Sequence, residues 1–575
     1  MFNPSENDLR FAIHKTIGLE TISDLPGHED VSDDLVDAIL SEAAKLASEV
    51  IAPTNHQGDV EGAHWHQGGI VTTPTGFKDA FKAMGEGGWC GIGVAEEYGG
   101  QGMPNLVSAA VREMWHSANM AFALCHLLTE GQLEALQGCA SEEQKQTYIP
   151  PMAEGRWTGT MNLTEPQAGT DLAAIRTMAT PEADHYRIKG QKIYITYGEH
   201  DMAENTIHLV LAKTPGAPDG VKGISVFIVP KFLVNEDGSL GERNDVKCVS
   251  IEHKLGIKGS PTAVLAFGEE DGAIGYLVGE EHQGLKIMFQ MMNHARFSVG
   301  IQGLSISNRA YYQALAYANE RKQGTPMGRE EGAAIIHHPD VARLLSTMRA
   351  EIEAMRGLAL YGAMCLDRGH HDATWQARAE YLVPIIKGWL TERSLAITSD
   401  GVQVHGGMGF IEETGAAQHY RDAKILTIYE GTTAIQANDL IGRKTGKDKG
   451  AIAFALLAEV KDGASPQLLA AVERAEAAIK HLLDGGLNAR EAHAVSVPYL
   501  MMMGYLLGGW MTERSAKAAE QAMVDGGWDT EFLKLKPQLA DVYRGHSLPE
   551  VYRFAETIMA GASAVEAIDV MALSA

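Results

Sequence analysis

The chain has 575 residues, is 45% hydrophobic and 21% charged, and carries 74 acidic against 48 basic side chains for a net charge of −26. That length suits roughly three or four domains with a large buried core. An acidic surface repels nucleic-acid phosphates and anionic membrane, and no stretch of about 18 residues is both uncharged and uniformly apolar, so neither a nucleic-acid partner nor a membrane span is expected.

Residues 1 to about 30 are polar and read as irregular. The first six, Met1-Phe2-Asn3-Pro4-Ser5-Glu6, lack a basic and an apolar region, so no secretory signal and a cytoplasmic location are expected. From Ser32, the residues Leu35, Ile39, Ala43, Leu46 and Val50 recur at helical spacing and predict a helix that Pro53 ends. Residues 56–76, rich in Gly, His and Thr, predict a loop, and a helix resumes over Phe77–Met84. The glycine-rich turn region 91–102 is weak as a phosphate cradle, because no strand-to-helix Gly-x-Gly-x-x-Gly context surrounds it. Residues 105–150 are helical again, ending near Pro150-Pro151.

The period then changes. Tyr186–Thr196, Ile207–Leu211, Ile224–Val229 and Thr262–Phe267 are rich in β-branched and aromatic residues and predict strands separated by glycine turns. From Gly284 the helical period returns and runs to about 440, with breaks at Gly324-Thr325-Pro326, Pro339 and Gly401–Gly409. Helices at 450–461, 466–483 and about 493–525 follow, and Met501-Met502-Met503 is expected to fill a packing interface. The predicted organisation is α+β: an N-terminal helical domain (1–155), a middle β domain (156–279), a C-terminal helical domain (280–445) and an additional helical domain (446–575).

The five cysteines, Cys90, Cys125, Cys139, Cys248 and Cys365, are odd in number and form no Cys-x-x-Cys pair, so they read as buried thiols of a reducing compartment. The pairs His64/His66, His337/His338 and His370/His371 lack cysteine partners at zinc spacing, and no metal site is expected.

Residues 421–436 read Arg-Asp-Ala-Lys-Ile-Leu-Thr-Ile-Tyr-Glu-Gly-Thr-Thr-Ala-Ile-Gln. An apolar and aromatic run delivers one carboxylate, Glu430, and burial there would raise its pKa towards that of a general base. Gly431 lets a backbone amide approach a ligand closely. Thr432 and Thr433 either bind a cofactor or cap the next helix. The stretch resembles the catalytic signature of the acyl-CoA dehydrogenases, and the likeness extends from about residue 35 to residue 445. It implies a fold of N-terminal helical domain, middle β-barrel and C-terminal four-helix bundle, here with a helical extension. It also implies FAD as cofactor and an acyl-CoA thioester as substrate: Glu430 removes the α-proton and the flavin takes the β-hydrogen as hydride, giving a trans-2-enoyl-CoA.

Further motifs carry the same resemblance. Met161-Asn162-Leu163-Thr164-Glu165-Pro166-Gln167-Ala168-Gly169-Thr170-Asp171 is similar to the family's flavin loop; it implies flavin contacts for Met161, Leu163, Thr164 and Gly169, and contact of Thr170 with the flavin or the CoA phosphate arm. Tyr194-Ile195-Thr196 matches Trp-Ile-Thr, with Thr196 near flavin N5 and Tyr194 replacing the usual tryptophan. Asn293-His294-Ala295-Arg296 resembles Asp-x-x-Arg near the substrate, with Asn293 in place of the acid and Arg296 on the thioester or CoA side. Arg321 matches the arginine that meets FAD pyrophosphate from a neighbouring subunit, although Gly324 replaces a family phenylalanine. Gln403-Val404-His405-Gly406-Gly407 matches Gln-x-x-Gly-Gly, whose glycines admit the pyrophosphate. Gly431 and Thr432 are expected at substrate and cofactor respectively.

The length and the extra helical block resemble a bacterial subgroup that includes the 3-(methylthio)propanoyl-CoA dehydrogenases, which implies a short or medium acyl chain. The family further implies an electron-transfer flavoprotein as electron acceptor and a homodimer or dimer of dimers. Two alternatives stand beside this reading: an acyl-CoA oxidase, whose flavin reacts with oxygen, and a non-catalytic DNA-associated flavoprotein of the same superfamily, against which the acidity argues.

Overall fold

The computed structural model describes residues 2–568 and 570–574; Met1, the first residue of the segment read for a secretory signal, lies outside them, as do Asp569 and Ala575. The chain forms two compact units, one made of the chain up to Glu42, Asn105–Met114 and everything from Arg296 on, the other of Ala43–Pro104 and Trp115–Ala295.

The N-terminal stretch is not irregular. Helix α1 (Glu6–Phe11) continues through a wide helical turn to Ile17 and buries Leu9, Phe11 and Ile13. Phe11 meets the rings of Trp528 and Phe532 edge-on at 5.2 and 5.6 Å, so a few apolar residues order an otherwise polar segment. Helix α2 (Asp33–Lys45) begins where expected, but its buried stripe is Val36, Leu40 and Ala43, continued by Ala47. The face is rotated by one residue from the predicted one, and Leu35 is exposed. The predicted loop 56–76 holds helix Thr54–Glu61 and a hairpin, His64–His66 with Ile70–Thr72, turned by Gly68 and Gly69 at positive φ. Three-residue strands are too short to show an alternation in sequence.

Helices α3 (Asn105–Ala118), α4 (Met120–Cys139) and α5 (Glu142–Ala153) follow, and α5 opens on a capping box between Ser141 and Gln144. Pro150 and Pro151 lie inside its last turn rather than ending it.

The β region is an eight-stranded sheet. Its strands are β1 (Trp157–Asn162), β2 (Met178–Glu182), β3 (His185–Thr196), β4 (Asn205–Lys213), β5 (Ile224–Pro230), β6 (Val246–Ile251), β7 (Thr262–Phe267) and β8 (Ala273–Leu277). The spatial order is β6-β7-β3-β8-β5-β4-β1, and β2 pairs with both β3 and β4. Strands β3, β8, β5, β4 and β2 thereby close into a ring, the barrel-like element expected. Strands β1, β2, β6 and β8 went unpredicted, because β1 and β8 carry interior glycines and β2 holds a proline. Two apolar clusters fill this unit, one around Trp157, Ile207, Ile224 and Met288, the other around Val210, Phe227, Leu265 and Phe267.

Long helices make up most of the other unit: α6 (Gly284–Glu320, from Arg296 on), α7 (Pro339–Gly369), α8 (Ala373–His405) and, after a short α9 (Thr433–Asp439), α10 (Ala451–Lys461), α11 (Pro466–Leu483), α12 (Ser496–Asp525), α13 (Thr530–His546) and α14 (Glu550–Ala560). Pro339 does not interrupt a helix but opens one, at a first-turn position where its missing N–H costs nothing. Glycines allow close helix contacts. A Cβ on Gly303 of α6 would stand 2.8 Å from the Leu390 carbonyl of α8, and one on Gly504 of α12 would stand 2.2 Å from the Trp389 side chain. Met502 and Met503 are fully buried and Met501 nearly so, as their packing role requires. A buried ionic network of Asp8, Arg349, Glu353, Arg356, Glu113 and Lys536 joins α1, α3, α7 and α13.

Candidate active site

In the sheet-bearing unit the flavin-type loop leaves β1 and is braced from β3. Glu165, nearly fully buried, accepts the Arg176 N–H at 2.7 Å, the Thr177 N–H at 3.1 Å and the Thr177 hydroxyl at 2.6 Å. The ammonium of Lys192, on β3 and wholly buried, donates to Glu165 at 2.8 Å and to the Leu163 carbonyl at 3.0 Å. Burial alone would raise the Glu165 pKa; Lys192 and the hydrogen bonds overcome it and bring it down to about 2. The Ile193 N–H completes the brace on the Thr164 carbonyl at 2.9 Å.

Tyr194 sits at a bulge. The pairing of β3 with β7 slips between Ala263 and Leu265, and Tyr194 takes a left-handed φ of +61°. A bulge re-aims a side chain, and the Tyr194 ring is 60% exposed beside the braced loop. Leu163 is buried, Met161, Thr164 and Thr196 are half-buried, and Gly169 and Thr170 are exposed. No atom lies within 4 Å of where a Cβ on Gly169 would stand. The braced loop and the strand that holds it therefore carry an exposed tyrosine, hydroxyls and an open glycine, and their chemistry fits a planar, hydrogen-bonding cofactor. Asn293 is exposed on α6 in the same unit, away from any role the structure makes visible.

In the helical unit Glu430 occupies a tight turn. Its φ is +55° and that of Gly431 is +89°, two consecutive left-handed residues just before α9. A non-glycine residue in that region costs on the order of 1–3 kcal/mol and persists only where its surroundings dictate it. Those surroundings are on hand. Gln436 Nε2 donates to the Glu430 carbonyl at 3.1 Å, and Lys387 Nζ, on α8, donates to the Gly431 carbonyl at 2.6 Å. The Tyr429 hydroxyl donates to Gln302 of α6, and the Thr433 hydroxyl to Glu392 of α8. Burial of the Glu430 carboxyl raises its pKa, with Arg296 and then Lys387 opposing. Arg296 is itself 6% exposed, and burial lowers its pKa. Thr432 plays the capping role: its hydroxyl accepts the Ile435 N–H at 3.4 Å.

The sequence relationships bear on both halves. The family profile described as "Acyl-CoA dehydrogenase, N-terminal domain" matches residues 34–156, "Acyl-CoA dehydrogenase, middle domain" matches 160–269, and "Acyl-CoA dehydrogenase, C-terminal domain" matches 282–444. A fourth, "Acetyl-CoA dehydrogenase C-terminal like", matches 453–569. The chain is 47% identical over 565 residues to a 3-methylmercaptopropionyl-CoA dehydrogenase of Ruegeria pomeroyi, covering 94% of this chain and 95% of that one.

The chain belongs to the acyl-CoA dehydrogenase family.

It is thus an oxidoreductase, and some of its relatives match it over nearly the full length. A broad-specificity linear acyl-CoA dehydrogenase of Mycobacterium tuberculosis is 35% identical over 95% of this chain and 96% of its own. A Bacillus anthracis acyl-CoA dehydrogenase structure, complexed with FAD, superposes with a TM-score of 0.71 at 24% identity, covering 95% of this chain and 91% of that one, and shows the same fold including the helical extension.

The remaining motif residues of this acyl-CoA dehydrogenase lie at helix ends in the helical unit. Arg321 is exposed just after α6, and Gln403, Gly406 and Gly407 are exposed where α8 ends. Around Gly406 and Gly407 no atom lies within 4 Å of a Cβ position, and Gly406 has a φ of +60°, so this segment leaves room for a ligand against its backbone. Tyr317 of α6 stacks on His405 of α8 at 4.5 Å and holds these ends together. Sequence reasoning missed two residues. Lys192 reads as an exposed strand lysine, and Lys387 carries no motif; only its place in the apolar run Leu382–Leu390 sets it apart.

Among the described residues no helix is long and apolar enough to cross a membrane.

Proposed function

We propose that this chain is an FAD-dependent dehydrogenase of a short- or medium-chain acyl-CoA, with 3-(methylthio)propanoyl-CoA, the compound also named 3-methylmercaptopropionyl-CoA, as the favoured substrate. The full-length 47% identity to the Ruegeria pomeroyi enzyme carries the substrate class.

Glu430 is the base in this reading. Its burial supplies the basicity that a carboxylate lacks in water. The α-proton passes to its carboxylate. The Glu430 N–H, fixed by the left-handed turn, is the protein's donor to the thioester carbonyl, a contact worth about 3 kcal/mol in comparable sites. FAD, when bound, accepts the β-hydrogen as hydride and passes the electrons on. By the family resemblance, Leu163, Thr164, Tyr194 and Thr196 would hold its ring system, with Met161, Gly169 and Thr170 beside them; Gln403, Gly406 and Gly407 would hold its phosphates, as would Arg321 from a neighbouring subunit. The family resemblance assigns Thr170, Asn293, Arg296 and Gly431 to the substrate, Arg296 on its thioester or CoA side.

The segments 1–155, 156–279, 280–445 and 446–575 are its domains in this reading, although the compact units divide the first of them, 1–42 and 105–114 grouping with the chain from Arg296 on. Electrons leave to an electron-transfer flavoprotein and the protein assembles as a homodimer or a dimer of dimers, both on the family resemblance; it resides in the cytoplasm, on the reducing compartment that its cysteines imply.

The test is an anaerobic titration of the purified flavoprotein with a panel of acyl-CoAs that includes 3-(methylthio)propanoyl-CoA and butyryl-CoA. Bleaching of the oxidised flavin by a member of the panel supports the reading, and the tightest titrant names the substrate. A yellow protein that none of them bleaches defeats the assigned activity. Stoichiometric peroxide release in air would make it an oxidase instead.

A further inference from the structure

Lys387 is wholly buried on α8, and its ammonium rests on the carbonyl of Gly431 at 2.6 Å. A buried ammonium is costly unless charge and hydrogen bonds compensate it. The compensation here is local. Glu430 and Glu392 supply negative charge, and the Gly431 carbonyl supplies an acceptor. The helix cannot swing away to relieve the lysine. The next residue, Gly388, packs so closely on Leu500 of α12 that a Cβ would stand 2.6 Å from its side chain.

The carbonyl it holds belongs to the second of the two left-handed residues. A charge-assisted hydrogen bond from a rigid helix fixes the Gly431–Thr432 peptide plane, and so limits how the turn that carries Glu430 can move. Other groups act on the same pair. Arg296 reaches Glu430 from α6, Glu392 faces Lys387 from its own helix, and Tyr429 adjoins Glu430; Asp439 and Arg443 act on Arg296 from the α9 side. Toward α12, the contact beside Lys387 is the apolar one of Gly388 with Leu500.

We propose that Lys387 is the positioning residue of Glu430: its ammonium pins the Glu430–Gly431 turn through the Gly431 carbonyl, and its charge, beside that of Arg296, favours the proton-accepting form of the neighbouring carboxyl against the burial that opposes it. The inference rests on the reading of Glu430 as the base. Lys387 need not touch the substrate. It acts through the turn and through its charge.

The experiment uses the full-length, FAD-loaded protein. The carboxylic C=O band of Glu430, identified by its loss in Glu430→Gln, is titrated by infrared spectroscopy in the parent, Lys387→Met, Lys387→Gln and Lys387→Arg. The pH profile of flavin reduction by butyryl-CoA is recorded on the same proteins. Both neutral variants are expected to move the infrared midpoint, and the acid limb of the rate profile, upward by about one pH unit. Lys387→Arg is expected to restore most of both. Lys387→Gln keeps a donor for the Gly431 carbonyl and carries the test should Lys387→Met not fold. Slower reduction with both midpoints unmoved would reduce Lys387 to a merely structural role and overturn the proposal. If Glu430→Gln still reduces flavin normally, the assignment of the base falls first; if it does not, and the Lys387 variants leave the midpoints in place, only the role of Lys387 falls.

Discussion

The carboxamide of Gln436 donates to the main-chain carbonyl of Glu430 across six residues, at 3.1 Å. Both residues lie in the Tyr-Glu-Gly-Thr-Thr-Ala-Ile-Gln segment, and the bond ties the first turn of α9 to the strained residue before it. The turn that presents the carboxylate is thereby closed by the helix that follows, and α8 clamps it from the other side through Lys387. Preorganisation of this kind keeps a base at its angle of attack without reorganisation during the reaction.

Replacing Glu430 with Gln removes the proton acceptor and keeps the shape. Flavin reduction by acyl-CoA is expected to fall by about three orders of magnitude, while acyl-CoA binding, read by the shift of the oxidised flavin spectrum, changes little. Stopped-flow reduction under anaerobic conditions checks both, and near-normal rates would remove Glu430 from the mechanism.

Gly431→Ala forces a Cβ into a residue at φ +89° and brings it to 2.7 Å from Gln436 Nε2 and 3.3 Å from Ile435 Cγ2. The expected cost is roughly 1–3 kcal/mol. The clash falls on the very amide that closes the turn, so the rate of flavin reduction should drop together with the melting temperature. A variant as stable and as fast as the parent would show that the turn is more yielding than its geometry implies.

The Glu165–Lys192 pair makes stability depend on pH on the acid side. The folded-state pKa of Glu165 is depressed to about 2 from an ordinary 4.5. Its contribution is therefore present above pH 4.5 and lost as pH falls from 4.5 through about 2, where the unfolded chain binds a proton that the folded one refuses. The loss across that window is on the order of 3 kcal/mol. Lys192→Met strands a buried carboxylate without its cation, with an expected cost of about 3–5 kcal/mol at neutral pH, and should flatten that part of the profile. Denaturant melts between pH 7 and pH 3 of both proteins decide it; parallel profiles would refute the pairing as its source.

Gly504→Leu tests how the helical extension is seated. The Cβ alone would stand 2.2 Å from Trp389, a buried side chain with nowhere to go. A destabilisation of at least about 1–3 kcal/mol is expected. Trp389 lies two residues beyond Lys387, so slower flavin reduction should accompany the lower melting temperature. An unchanged melt would mean that α12 and α8 separate more easily than their contact suggests.

Much of this was legible in the chain itself. The periodicity switch placed a β region between helical ones, and three of the extension's helices fall within a few residues of their predicted spans, because long amphipathic or apolar runs with Gly and Pro punctuation admit few readings. The motif around Glu430 and the loop around Glu165 were read from residue order, since such local turns are encoded by adjacent residues: Gly431 at a positive φ and the Thr432 hydroxyl at the cap in the one, the Asp171 carboxylate at the cap in the other.

Tertiary structure decided the rest. The α2 stripe is offset by one residue because the packing partners, not the helical period, choose which of two overlapping apolar faces is buried. Tyr194 leaves the alternation of its strand because β7 pairs out of step with β3. Lys192 looks in sequence like any other strand lysine, and Lys387 is set apart only by the apolar run around it. Each becomes a buried cation on a backbone carbonyl only when an element distant in the chain arrives beside it, Leu163 in the one case and Gly431 in the other. Residue order determines which groups can ionise; which of them lose their water, and so acquire a shifted pKa and fixed partners, is settled only when remote segments pack together.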